Sequence, residues 1–304
     1  MAEPYRQQSA PRRPFGKTGL EVSPLGYGAA AAGDPALSEV EAGALLDGAV
    51  DAGAFLIDTA RSYGLSEERI GRHLSHRRGE FVLSTKVGYG VPGLPDWTGP
   101  TVESGIDLAL RKMRTDVIDI VHLHSCPRDV LAKGEVVEAL RRAREAGKIR
   151  VAGYSGDGGP LAWAVESGHF GSVQTSINVC DLASVETGAV ARAAADGMGV
   201  IAKRSLANAP WARSEPPAND EAAAAYSQRW RELAYDLKGF EPAELALRFA
   251  AYWPGVSAAI VGTRSLARLR GHVAAVARGP LPEALQESLT ARWRKRSEDW
   301  PGMI

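Results

Sequence analysis

A chain of 304 residues that is 45% hydrophobic and 24% charged can bury one sizeable core without disulfides, and its length suits a single α/β barrel. Lys plus Arg equals Asp plus Glu at 36 each, which argues against nucleic acid or an anionic membrane as the main partner. Two cysteines, Cys126 and Cys180, exclude a disulfide framework and a cysteine-rich metal site; two inert buried thiols in a reducing compartment are the simplest reading, and no metal is expected.

The start, Met1 to Pro14, is polar and carries Arg6, Arg12 and Arg13, with no apolar stretch behind it to act as a signal-peptide core. No uncharged apolar run reaches the roughly 18 residues that cross a bilayer. The expectation is therefore a soluble, cytoplasmic protein. Eight strand-like runs follow in chain order: Ser23 to Gly28, Phe55 to Asp58, Phe81 to Lys86, Val117 to His124, Ile149 to Tyr154, Ser172 to Ser176, Gly199 to Lys203 and Ala258 to Val261. Several are continuous in Val, Ile and Leu rather than alternating, as parallel strands buried on both faces require. Amphipathic segments separate them. Ser38 with Glu41 makes a capping box before Val40 to Ala52, Pro100 suits the first turn of a helix running towards Met113, and Gly53 and Gly147 stop helices. Ala139 to Ala146 reads as an outer helix with a charged, solvated face. Repeated βα units predict a (β/α)8 TIM barrel in one domain spanning residues 1–304.

One interval breaks the rhythm. After the seventh strand, residues 205–241 insert a long loop with Pro210, Pro216 and Pro217 and a helical segment near Tyr226 to Leu237. Connections at the carboxyl ends of barrel strands build the active-site face, so this one is placed to cover a ligand. An extra helix is expected over about 281–297.

The strand ends carry the chemistry. The second ends in Asp58, with Tyr63 close behind; the third ends in Lys86 and the fourth in His124. Reducing a carbonyl needs a hydride on carbon and a proton on oxygen, and a tyrosine hydroxyl is a proton donor at neutral pH. A Lys86 ammonium beside the phenol stabilises its conjugate base, Asp58 keeps that lysine charged, and His124 orients the carbonyl oxygen. His122 is expected to be structural, its side chain turned away from that of His124. Tyr27, Trp97 and Trp211 are candidates for a substrate pocket, with simple packing the alternative for each tryptophan.

Asp58-Thr-Ala with Tyr63-Gly, Ser84-Thr-Lys86, and Ile118-Asp-Ile with His124 resemble, in order and spacing, the aldo-keto reductase superfamily, a bacterial-type aldo/keto reductase in particular. The resemblance covers nearly the whole chain. It implies Tyr63 as acid and base, Lys86 tuning it, Asp58 supporting Lys86, His124 binding substrate, and an NADPH/NADP+ cofactor in preference to NADH. By the same resemblance Ser155 and Gln174 hold the nicotinamide carboxamide, with Asn178 supporting them, while Gly156 replaces the family's usual asparagine. Lys203 falls where the family has an aromatic stacking partner, so Lys203, Arg204, Ser205 and Leu206 are expected at the pyrophosphate instead. Gly262, Thr263, Arg264 and Arg268 open the last helix as a 2′-phosphate corner, His272 replaces an adenine contact, and Gly28 and Ala29 take the place of a cofactor-contact turn. The partner implied is a small carbonyl, alcohol or sugar substrate; oligomeric state is not legible.

Three rivals stand beside this reading. A Rossmann dehydrogenase lacks its complete G-x-G-x-x-G after Gly26-Tyr-Gly28 and has no Tyr-x-x-x-Lys pair. A Schiff-base aldolase would use Lys86 or Lys203 as nucleophile. An NADPH-binding redox sensor or regulatory subunit with little turnover would retain all four residues.

Overall fold

The protein is described by a computed structural model over residues 11–216, 220–297, 300 and 302; the start through Ala10, with Arg6, and Pro217 and Asn219 of the long loop lie outside the described residues. Eight strands form the core: β3 (Leu25–Gly28), β4 (Leu56–Asp58), β5 (Val82–Val87), β6 (Ile118–His124), β7 (Ile149–Ser155), β8 (Ser172–Ser176), β9 (Gly199–Lys203) and β10 (Ala258–Val261). They run parallel in that order, and β10 pairs back onto β3 to close a (β/α)8 barrel. All eight expected strands are present. The first starts two residues late because Ser23 turns its hydroxyl to the Leu25 carbonyl and accepts from the Phe55 amide, capping the strand instead of joining it.

Around the barrel lie α1 (Glu39–Asp51), α2 (Ser66–Leu74), α3 (Gly99–Met113), α4 (Arg128–Lys133), α5 (Glu135–Glu145), α6 (Gly158–Glu166), α7 (Ala183–Glu186), α8 (Ala189–Ala195), α10 (Pro242–Ala251) and α11 (Leu266–Ala277). Both halves of the Ser38–Glu41 capping box form at the start of α1, and Thr98 caps α3 with Pro100 in its first turn. Within the insertion, α9 (Glu221–Leu233) begins and ends earlier than the sequence suggested. Asp220 accepts from the Ala223 amide to start it, and Ala234, left-handed at φ 41°, stops it. The extra helix, α12 (Glu283–Arg296), is present. Among the described residues no helix is long and apolar enough to cross a membrane.

The barrel has two apolar compartments. One lies between strands and helices; the other fills the amino-terminal mouth with Leu56, Val82, Ile120, Val151, Ile201 and Ala258. A feature the sequence did not announce closes that mouth: β1 (Arg13–Pro14) and β2 (Glu21–Val22) pair antiparallel and drive Phe15, fully buried, into the lumen. Two-residue strands carrying Arg, Pro and Glu give no periodic signal. Further up, side chains of alternate residues enter the lumen, Ser84 and Lys86 from β5 and His122 and His124 from β6. The sequence expectation for His122 is corrected here. Strand β6 stays regular through His124, so the two histidines share the inner face, with His122 fully buried and 3.0 Å from the Ser172 hydroxyl. Its structural character stands: burial, then the charge of Lys86, holds its pKa well below the usual histidine value.

Phe15 fills a closed mouth that little else can collapse into. Phe15→Ala should therefore cost about 3–5 kcal/mol of unfolding free energy, read from urea denaturation. A loss below about 1 kcal/mol would show that the barrel holds without its plug.

Candidate active site

The carboxyl-terminal mouth opens into a cavity of about 1270 Å3 lined by Asp58, Tyr63, Lys86 and His124 among others, so the four expected residues converge. Asp58 and Lys86 leave adjacent strands and meet almost wholly buried, Lys86 Nζ to Asp58 Oδ2 at 2.6 Å. Lys86 also donates to the Thr59 carbonyl at 2.9 Å. Burial opposes its charge most strongly, but Asp58 and the Tyr63 hydroxyl together outweigh it and raise its pKa. The other Asp58 oxygen accepts from Ser84 Oγ at 2.9 Å and Gln174 Nε2 at 3.0 Å. An ionised carboxylate accepts only, so the Gln174 amide must turn its nitrogen to Asp58 and its oxygen to Ser155, whose hydroxyl donates to it at 2.8 Å. Ser155, Gln174, Asp58 and Lys86 thus form one buried chain.

Tyr63 stands on the loop after β4, its ring centroid 5.1 Å from Lys86 Nζ and edge-on to the His124 ring at 6.0 Å. The loop is held by close packing of backbone. A Cβ on Gly33 would lie 1.8 Å from the Tyr63 carbonyl, so only glycine lets the first strand's loop support the tyrosine there. His124, at the end of β6, has its pKa lowered to about 3, by burial first and then by Lys86 and Lys203. It is neutral at physiological pH. Its Nδ1 lies 2.8 Å from the Tyr89 hydroxyl.

The remaining expected residues divide. Gly28, Ser155, Gln174, Lys203, Arg204, Ser205, Leu206, Gly262, Thr263, Arg264, Arg268 and His272 line the cavity, as does Trp211, which packs on Trp230 of α9 with centroids 5.0 Å apart. Three do not. Tyr27 is fully buried on the outer face of β3, with its hydroxyl donating to the Thr263 carbonyl at 3.0 Å, because Gly26 and Gly28 are the residues of that strand that face inward. Ala29 is buried behind the cavity, where its amide donates to the Asp58 carbonyl at 2.7 Å. Trp97 sits behind Tyr89, ring centroids 5.5 Å apart, so it backs the wall instead of lining it. Asn178 also stays out of the cavity, accepting from the Cys180 amide at 2.9 Å.

Charge is arranged differently from the expectation in two places. Lys203 Nζ is held 2.7 Å from Asp157 Oδ2, and Asp157 also accepts from Thr175 Oγ1 at 2.5 Å and the Ser176 amide at 2.7 Å. Burial lowers the Lys203 pKa against the pull of Asp157. Arg264 forms an ion pair with Asp34 from the first strand's loop. Sequence reasoning missed Asp157 and Asp34 and gave Tyr89 no role of its own; the one available signal for the acids was the position of Asp157, two residues past Ser155 at a strand end. Gly156 has a steric cause, since a Cβ there would lie 2.3 Å from the Tyr154 hydroxyl. At the far end, Ser265 caps α11 by accepting from the Arg268 amide, which turns the amino end of that helix towards Thr263 and Arg264. The two thiols lie buried, with burial pushing Cys126 up to about 12 and Cys180 up as well.

Residues 24–292 match the sequence profile of the Aldo/keto reductase family. The chain is 27% identical over 281 residues to an L-galactose dehydrogenase from Arabidopsis thaliana, covering 87% of each chain. A solved structure of a putative aldo-keto reductase from Pseudomonas aeruginosa is 31% identical, with a TM-score of 0.70 over 88% of this chain and 95% of that one. The holo form of an aldo-keto reductase from Bacillus halodurans, 23% identical, superposes with a TM-score of 0.82 over 94% and 96%, which shows the shared fold. A family match across most of the barrel, with relatives named dehydrogenase and reductase, makes this chain a member of the Aldo/keto reductase family and an oxidoreductase.

Proposed function

We propose that this single barrel domain reduces an aldehyde or ketone with NADPH, or runs the reverse oxidation of an alcohol or sugar, with Tyr63 as general acid and base. The observation that carries the proposal is the convergence of Tyr63, Lys86, Asp58 and His124 on one cavity. The residues present fit a phosphorylated dinucleotide. Arg204 and Arg268 line the cavity together with Lys203 and Arg264, whose charges Asp157 and Asp34 already balance, and Ser265 opens a helix whose amino end suits a phosphate. Ser155 and Gln174 form a polar pair at the other end, beside Asp58.

In this reading Ser155 and Gln174 hold the nicotinamide carboxamide, Ser205 and Leu206 with Arg204 face the pyrophosphate, and Thr263, Arg264 and Arg268 face the 2′-phosphate. The bound nicotinamide supplies or accepts the hydride. Tyr63 delivers a proton to the substrate oxygen as negative charge develops there, and the Lys86 ammonium beside the phenol stabilises the phenolate left behind. Asp58 keeps that ammonium charged in a buried position, and His124, neutral, orients the oxygen. The L-galactose dehydrogenase relative favours a sugar or other polyhydroxylated substrate over a purely apolar one.

Fluorescence titration should give tighter binding of NADPH than NADH. Arg268→Ala should weaken NADPH roughly ten- to a hundredfold and leave NADH nearly unchanged, as expected for one charge-assisted contact. No binding of either nucleotide would refute the reading. Tyr63→Phe should cut turnover of simple aldehydes by about 10²–10⁴-fold without loss of nucleotide binding. Because His124 titrates near 3, kcat/KM for reduction should show no inflection around pH 6.5; a fall there as pH drops would mean that His124 becomes charged in the working range.

A further inference from the structure

Neutral imidazole carries one N–H, and which nitrogen holds it decides whether His124 offers a substrate oxygen a donor or a lone pair. His124 Nδ1 is 2.8 Å from the Tyr89 hydroxyl, and Nε2 has no protein partner among the described residues. Tyr89 has a single proton and two neighbours to give it to. The imidazole nitrogen is closer and is the better acceptor; Ser62 Oγ, at 3.2 Å, is long for a hydroxyl pair. As it stands that contact has Tyr89 donating to Ser62 Oγ, but Ser62 is exposed, so water competes for its oxygen while the half-buried imidazole nitrogen has only Tyr89 among the described residues.

Tyr89 is also fixed in place. The Gly88 carbonyl before it accepts from the Trp97 amide at 2.7 Å, and the Trp97 ring meets Tyr89 at 62°. The Gly90 amide after it donates to Asp96 Oδ1 at 2.8 Å, and the Gly90 carbonyl accepts from the Arg61 guanidinium at 2.8 and 3.0 Å. Four anchors on a short loop hold the hydroxyl against one nitrogen of one histidine, and His124 is kept neutral by burial and by Lys86 and Lys203.

We propose that Tyr89 is a positioning residue that locks the tautomer of His124, leaving its one ring proton on Nε2. The use of that proton towards a substrate oxygen rests on the carbonyl-reductase reading; the tautomer itself does not. With Nδ1 protonated instead, a bare Nε2 lone pair would face that oxygen and repel it as its charge grows. A hydroxyl lock suits a site that must stay neutral at this point, since a carboxylate in the same place would draw a proton onto the ring.

The test is nitrogen-15 NMR of the full-length protein labelled at its histidines, six in all, with His124→Gln assigning the resonance. In the unliganded wild type, Nδ1 should resonate as an unprotonated, hydrogen-bond-accepting nitrogen and Nε2 as a protonated one. Tyr89→Phe keeps the ring against Trp97 and removes only the hydroxyl; it should give a mixture of tautomers and lower kcat roughly tenfold, with KM changed less than threefold. Ser62→Ala should leave the wild-type tautomer. A protonated Nδ1 in the wild type, or an unchanged tautomer in Tyr89→Phe, would overturn the proposal, and the wild-type spectrum decides the first point even if the variant fails to fold. A locked tautomer in a protein without carbonyl reductase activity would support the lock and reject the functional reading.

Discussion

An ammonium and a carboxylate sealed inside a barrel are expensive to desolvate, and the mouth of this barrel is organised around satisfying one such pair. Asp58 and Lys86 are each about 2% exposed or less. Isolated, either charge would cost several kcal/mol; together they are tolerable only if every remaining lone pair and proton finds a partner. The two Asp58 oxygens take Lys86, Ser84 and Gln174, and Lys86 spends its other protons on the Thr59 carbonyl and towards Tyr63. Four strand ends are thereby coupled. The amide of Gln174 has one permitted orientation because Asp58 demands a donor, and that orientation in turn fixes Ser155. A polar arrangement with so little slack belongs on rigid elements, which is what strand termini provide.

Much of this was legible in the linear sequence, for identifiable reasons. Parallel strands buried on both faces write themselves as dense apolar runs, so all eight appeared with nearly correct limits. Asp58, Lys86 and His124 were visible because polar residues end those runs, and a polar residue at such a point is a local contradiction that only the mouth of a barrel resolves. Helix starts were equally plain where capping side chains act within three residues, as at Ser38.

What escaped depends on which face a residue turns and on partners far away in the chain. Tyr27 sits one position from the inward face of its strand, a shift of one residue that moves a side chain to the opposite side. His122 was assigned outward on the assumption that β6 loses its regularity early, and it does not. Asp157 and Lys203 are 46 positions apart, Asp34 and Arg264 are 230, and no local pattern couples either pair. The floor hairpin is too short to carry a period at all. Sequence periodicity reports burial; it reports ion pairs between loops only when the fold is already known.

The contact between Gly156 and Tyr154 couples two positions of the wall beside Ser155. No side chain fits at position 156 while the Tyr154 hydroxyl occupies the space its Cβ would need, and Tyr154 is itself packed against Phe170 and hydrogen-bonded to the Cys126 carbonyl. Any side chain at position 156 therefore needs the Tyr154 ring to shrink or move first, and the two positions can change only together.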